Sequence, residues 1–133
     1  MQRKFVEGSL DGESYTVATA GYADTIHISV YKNDKMGKVF KCQLYPLIGG
    51  ALNEDGLIAN VVPEVLLGSG DDDVAGKFYT ETIASLILRQ RPSESRKLIL
   101  GLGNIGPRDN NVTEFYKKEL LHVTKLVQEA RVW

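Results

Sequence analysis

An α+β fold, with an antiparallel β-sheet meander and two C-terminal-half α-helices packed against it, follows from three features of the chain. Alternation with a period of two fills the first 44 residues. Apolar repeats at three- and four-residue steps begin only after residue 70. A single short apolar strand, Lys97 to Leu102, separates the two helical stretches. The 133 residues suit one α+β domain over residues 1–133, long enough for a real core.

The first strand runs through Phe5-Val6-Glu7 to Asp11-Gly12, a dipeptide that tolerates positive φ and suits a hairpin. Tyr15, Val17 and Thr19 alternate with Thr16 and Ala18 on the second. A turn at Gly21 to Asp24 leads to the clearest alternation in the chain. Ile26, Ile28 and Val30 point one way; Thr25, His27, Ser29 and Tyr31 point the other. The polar stretch Lys32 to Lys38 turns the chain back, and Phe40, Cys42 and Leu44 continue the dry face. One face of this sheet is dry and the other wetter. Residues 45–60, with Pro46, Gly49, Gly50, Asn53 and Gly56, read as a loop, either mobile or pinned by Leu47-Ile48. Val61 to Leu67 is a strand whose Pro63 lacks an amide donor, so it belongs at an edge or bulge.

Asp71-Asp72-Asp73 opens the first helix, and Ala75, Phe78, Tyr79, Thr82, Ile83 and Leu86 form its buried face. Pro92 stops it. The second helix starts near Asn111, where Asn111 and Glu114 have capping-box spacing. Val112, Phe115, Tyr116, Leu120, Val123, Val127 and Ala130 give its buried stripe, and Lys117, Lys118, Glu119, Lys125, Gln128 and Glu129 its solvated side.

Composition narrows the function classes. Hydrophobic residues at 43% and charged residues at 25% fit a folded chain and argue against a disordered tail. A net charge of −1 gives no broad basic field for nucleic acid or acidic lipid. Cys42 is the only cysteine, which leaves no internal disulfide or cysteine-rich zinc site and favours a reducing compartment. The apolar runs fall far short of the roughly 20 residues that cross a bilayer. No h-region follows Met1 to Lys4, so no signal peptide is expected, and the sequon Asn111-Val112-Thr113 reads as accidental.

Each candidate for chemistry has a plainer explanation. Gly101 to Gly106 matches G-x-G-x-x-G after a strand, the pattern of a pyrophosphate cradle. Pro107 to Asn110 then reads as loop where a helix should start, and the ribose-binding acid on a second parallel strand is missing. Gly68 to Asp73 sets three carboxylates at a helix start, where they suit the dipole better than a phosphate or a hard cation. His27 and His122 lie on different elements, and Cys42 sits on the dry face opposite His27. No nucleophile elbow or carboxylate pair stands out. The expectation is therefore no catalytic residue, no cofactor and no metal.

Two features suit protein contact instead. Lys32, Lys35, Lys38 and Lys41 make the third turn and following strand basic, either a solvated hairpin whose lysines guard an edge or a contact loop with Met36 as an adaptable apolar anchor at the tip. The only tryptophan, Trp133, ends the chain after an amphipathic helix; it either folds back onto the core or docks on a second protein.

In order along the chain, Thr25-Ile26-His27-Ile28-Ser29-Val30 running into Lys35-Met36-Gly37, Val65-Leu66-Leu67-Gly68 before an acidic helix start, one strand between two helices, and the close on Arg131-Val132-Trp133 resemble the proteasome assembly chaperone 3 family. The likeness spans about Lys4 to the end. The related fourth assembly chaperone shares the Leu-Leu-Gly step, and Gly49 to Asn60 looks longer than the family pattern. The resemblance implies a non-catalytic chaperone with an antiparallel sheet and helices packed against it. It implies dimerisation with a related chaperone, as a heterodimer or, in its absence, a homodimer. It implies binding to an α subunit of the 20S proteasome, in particular the fifth, promotion of α-ring assembly, and release as β subunits arrive. Nucleic acid and membrane are not among the implied partners; the implied location is the cytoplasm, and the nucleus as well. On this reading Lys35, Met36 and Gly37 touch a partner, and Val65, Leu66 and Leu67 with the C-terminal helix and Trp133 contribute dimer contacts. The alternatives are a small nucleotide-binding enzyme using Gly101 to Gly106, and a general protein-binding adaptor.

Overall fold

The structure, a computed structural model, describes residues 2–35, 37–46, 61–68, 73–103, 105 and 114–133. Met36, most of the 45–60 loop, Asp71, Asp72, residue 104 and residues 106–113 lie outside the described residues, and with them the second half of the glycine motif and the Asn111 cap. The elements in chain order are β1 (Gln2–Leu10), β2 (Glu13–Gly21), β3 (Thr25–Lys32), β4 (Lys38–Gln43), β5 (Glu64–Leu67), α1 (Val74–Gln90), β6 (Lys97–Leu102) and α2 (Glu114–Glu129). The fold is α+β: one six-stranded, mostly antiparallel sheet and two helices in the C-terminal half.

The meander holds for β1, β2 and β3, whose turns have the chemistry that their sequence gives them. Asp11 and Gly12 both take positive φ, 50° and 81°, so the hairpin twists with its strands. The expected fourth step of the meander does not form. The strand order is β1-β2-β3-β6-β4-β5, with β6 inserted between β3 and β4. It runs parallel to β3 and antiparallel to β4, with Ile28 beside Leu100 and Leu100 beside Phe40. The reason is burial. Leu98, Leu100, Gly101 and Leu102 are all buried, so β6 is the strand best able to occupy the dry centre of the sheet. Asn33 and Asp34, at φ 53° and 62°, fold the chain back only far enough for Lys35 to pair with Lys32; from Gly37, whose N–H donates to the Leu102 carbonyl at 3.0 Å, the chain follows β6 instead of β3.

Both helices pack on one face of the sheet, α1 against β4 and β6, α2 against β1 and β2, and they touch each other. The core between them is built from Tyr15, Val17, Ile28, Val30, Phe40, Leu98 and Leu100 on the sheet and Tyr79, Ile83, Ile87, Val123 and Val127 on the helices. Asp73 caps α1, its carboxylate accepting the Gly76 N–H at 2.8 Å. The buried stripe of α1 is rotated from the expected one. Gly76, Thr80, Ala84 and Leu88 join Ala75, Tyr79, Ile83 and Ile87 inside, while Phe78, Thr82 and Leu86 sit on its flank. Small size decides this: a Cβ on Gly76 would run into the Phe40 ring, so the bare backbone is what lets α1 approach β4.

On α2 the correction is Glu119. Read from sequence as a solvated residue, it is 1% exposed. Its carboxylate accepts the Tyr15 hydroxyl at 2.7 Å, the Lys32 ammonium at 3.0 Å and the Tyr79 hydroxyl at 3.4 Å. Burial first, then the neighbouring carboxylate, pushes both phenols well above their ordinary value. Lys32 also lies over the Tyr15 and Phe115 rings. Phe115 is partly exposed, and Leu126 takes a core place that the periodicity had not given it.

Candidate protein-binding site

Neither helix covers the second face of the sheet. Register fixes what that face presents. Phe5 lies beside Ala18, Ala18 beside Ser29, Ser29 beside Gly101, Gly101 beside Val39, and Val39 beside Leu67. This row crosses all six strands. Its ends are large and exposed, Phe5 at 65% and Leu67 at 66%, and its middle is small. Arg3, Ala20, His27, Ile99, Lys41 and Glu64 form the row beside it. The small centre leaves a hollow of about 410 Å³ bounded by Phe5, Ala18, Ala20, His27 and Ser29, with Tyr22 stacked edge-on to His27 at 5.2 Å. A broad, shallow, mixed apolar surface of this kind suits a flat protein partner better than an enclosed small molecule.

The structure places the residues expected to touch partners as follows. Val65 faces the helix side and packs half-buried on the core beside Phe40. A bulge follows, which turns Leu66 and Leu67 outward along the β5 edge. Pro63 directly precedes this edge strand, where its missing donor costs no ladder bond. Gly68, at φ 78°, sits so close to the Gly37 carbonyl that no side chain would fit. Gly37 is thereby brought against the end of β5, while the Lys35 backbone pairs with Lys32 in the β3–β4 turn. Met36 falls outside the described residues. Lys38 and Lys41 in this region are paired, with Asp73 at 2.8 Å and Glu64 at 3.3 Å.

Trp133 takes the first of its two alternatives. It is 8% exposed, packs on the core, and donates its indole N–H to the Gln90 side chain at 2.8 Å. Arg131 holds the Trp133 carbonyl at 2.8 Å. The ring therefore ties the chain end to α1, and its apolar area is spent inside the molecule.

The candidates for chemistry stay apart. His122 stacks edge-on against Tyr15 at 5.1 Å on the helix side, while His27 is on the open face. Cys42 is buried on the helix side, and burial pushes its thiol up to about 11. A Cβ on Gly103 would strike the Lys35 carbonyl, so that glycine serves the close approach of β6 to the β3–β4 turn. Among the described residues no group of three or more His, Cys, Asp or Glu could hold a metal ion. No helix among them is long and apolar enough to cross a membrane. Sequence reasoning missed the central row of the open face. Its signal was present: Ala18, Ala20, Ser29 and Gly101 are small where a merely solvated face would carry long polar side chains.

No protein-family model matches this sequence, and comparison with the curated proteins gives no match. Among solved structures the chain is similar to one from a chaperone complex for yeast 20S proteasome assembly. The two share a fold. The TM-score is 0.69 at 17% identity, over 97% of this chain and 98% of the yeast chain.

Proposed function

We propose that this chain is a non-catalytic assembly chaperone that dimerises with a related chaperone, binds an α subunit of the 20S proteasome, in particular the fifth, and promotes α-ring assembly. The observation that carries the reading is the row from Phe5 to Leu67 across the sheet face that neither helix covers, in a fold shared with a proteasome assembly chaperone. The row is self-complementary. Two such sheets facing each other about a two-fold axis parallel to the strands set β1 of one over β5 of the other. Phe5 then meets Leu67 of the second copy, Ala18 meets its Val39, and Ser29 meets its Gly101. In the neighbouring row Arg3 meets its Glu64, opposite in charge. A related chaperone with the same sheet takes the place of the second copy in a heterodimer. Leu66 and Leu67, with Gly37 against the end of β5, lie at the edge of this face and extend it.

The test is affinity purification of the tagged chain from cell extract, with bound proteins quantified. Proteasome α subunits and one related chaperone dominate the catch on this reading. A catch dominated by vesicle-coat or signalling proteins, with α subunits at background, contradicts it and favours a general adaptor.

A further inference from the structure

The helix layer has a groove of its own, on the opposite side of the molecule from the open face. It runs between α1 and α2, has a volume of about 590 Å³, and is bounded by Phe78, Thr82 and Leu86 on one side and Leu120 and Thr124 on the other. Ser85 and Gln128 also line it, so its wall is mixed, apolar at Phe78, Leu86 and Leu120. The Thr82 hydroxyl is turned back to donate to the Phe78 carbonyl at 2.8 Å, and the Thr124 hydroxyl to the Leu120 carbonyl at 2.6 Å. Both hydroxyl protons are thus used within their own helices, which leaves the groove the threonine methyls and acceptor oxygens and no threonine donor. At one end stands Arg89, in the last turn of α1. Among the described residues no carboxylate pairs with it, and none lines the groove. A last-turn arginine complements the helix dipole. That explains its place along the helix and leaves its side, toward the groove, unexplained.

We infer that this groove holds the client: an amphipathic helix of the bound subunit, its apolar residues between α1 and α2 and a carboxylate against Arg89. The inference rests on the proposed function and assigns its two contacts to opposite sides, the chaperone partner on the sheet and the client on the helices. Two adjacent helices with an apolar seam offer a third helix the usual ridge-and-groove seat. Arg89 selects an acidic client segment and fixes its direction.

The experiment measures binding of singly purified 20S proteasome α subunits to the wild-type chain, to Arg89→Glu and to Thr82→Arg, with the mass in solution and the thermal melt recorded for each. Arg89 is exposed in a terminal turn, so its reversal does not threaten folding. Arg89→Glu is expected to weaken client binding about tenfold, more at low salt than at high, with the mass in solution unchanged. Reversing one client carboxylate to lysine is expected to restore binding to Arg89→Glu, which no loss of fold could mimic. Client binding by Arg89→Glu at wild-type strength overturns the inference and leaves the proposed function standing. Loss of dimer mass in Arg89→Glu also overturns it, because the groove would then join copies of the chain. Failure of every α subunit to bind the wild-type chain overturns the proposed function and the inference with it.

Discussion

At Glu119 a carboxylate lies under the sheet and answers three donors from three elements: Tyr15 on β2, Lys32 on β3 and Tyr79 on α1. Desolvating an acid is costly, and the ammonium with two phenols offsets that cost only while all remain. Glu119→Leu is expected to lower stability by about 3 kcal/mol, because Lys32 is left largely buried beside an apolar group. Adding Lys32→Met should return at least about half of the loss. Urea midpoints at constant slope measure both. A single substitution within about 0.5 kcal/mol of wild type contradicts the account. Nothing in the sequence marks Glu119 as special, since its neighbours on α2 are Lys117 and Lys118 and the pattern there is that of a solvated face. Its partners are 104, 87 and 40 residues away in sequence, beyond the reach of any local reading. Cys42 is the opposite case, legible from alternation alone. Its thiol, raised to about 11 by burial, is expected to react with iodoacetamide at neutral pH at least about a hundredfold more slowly than an unfolded-chain cysteine. Mass spectrometry over time checks this; fast labelling of the folded chain contradicts it.

At the scale of elements, existence was legible and placement was only partly so. The alternation of Ile26, Ile28 and Val30, the Asp11-Gly12 turn, the stop at Pro92 and the bounds of β6 all follow from local chemistry. The seat of β6 does not, because an apolar hexapeptide fits the centre of a sheet in several orders and only the whole core chooses among them. The phase of α1 was misjudged for a related reason. Phe78 and Leu86 score as core residues by hydrophobicity, yet the side that carries Gly76, Thr80 and Ala84 goes inside because it lets helix and strand come close. This gives a prediction with an unusual sign. Gly76→Ala in a helix should gain about 1 kcal/mol from propensity alone. Here the added methyl meets the Phe40 ring and the Asp73 cap, so a net loss of about 2 kcal/mol is expected. A thermal melt above that of wild type contradicts the close-packing explanation.

For the whole molecule, the two sides of one sheet are built differently. Helices, buried tyrosines and the Trp133 anchor stabilise one side; the other keeps a row of small residues between Phe5 and Leu67. The resemblance in sequence pointed to partner contact near Lys35 to Gly37 and along β5. The structure adds that these positions border a wider face, whose central members lie on four strands far apart in the chain. A periodicity analysis reads Ala18, Ser29 and Val39 one strand at a time and cannot see them as one surface. The most direct test of that surface is the mass of the chain in solution by light scattering, for wild type and for Ser29→Arg, which puts a long cation at the centre of the row. Alone at tens of micromolar, the wild-type chain is expected at twice its 14.7 kDa, and Ser29→Arg at 14.7 kDa with an unchanged circular dichroism spectrum. A monomeric wild type, or a Ser29→Arg variant that still doubles, contradicts the claim that the open sheet face is the interface.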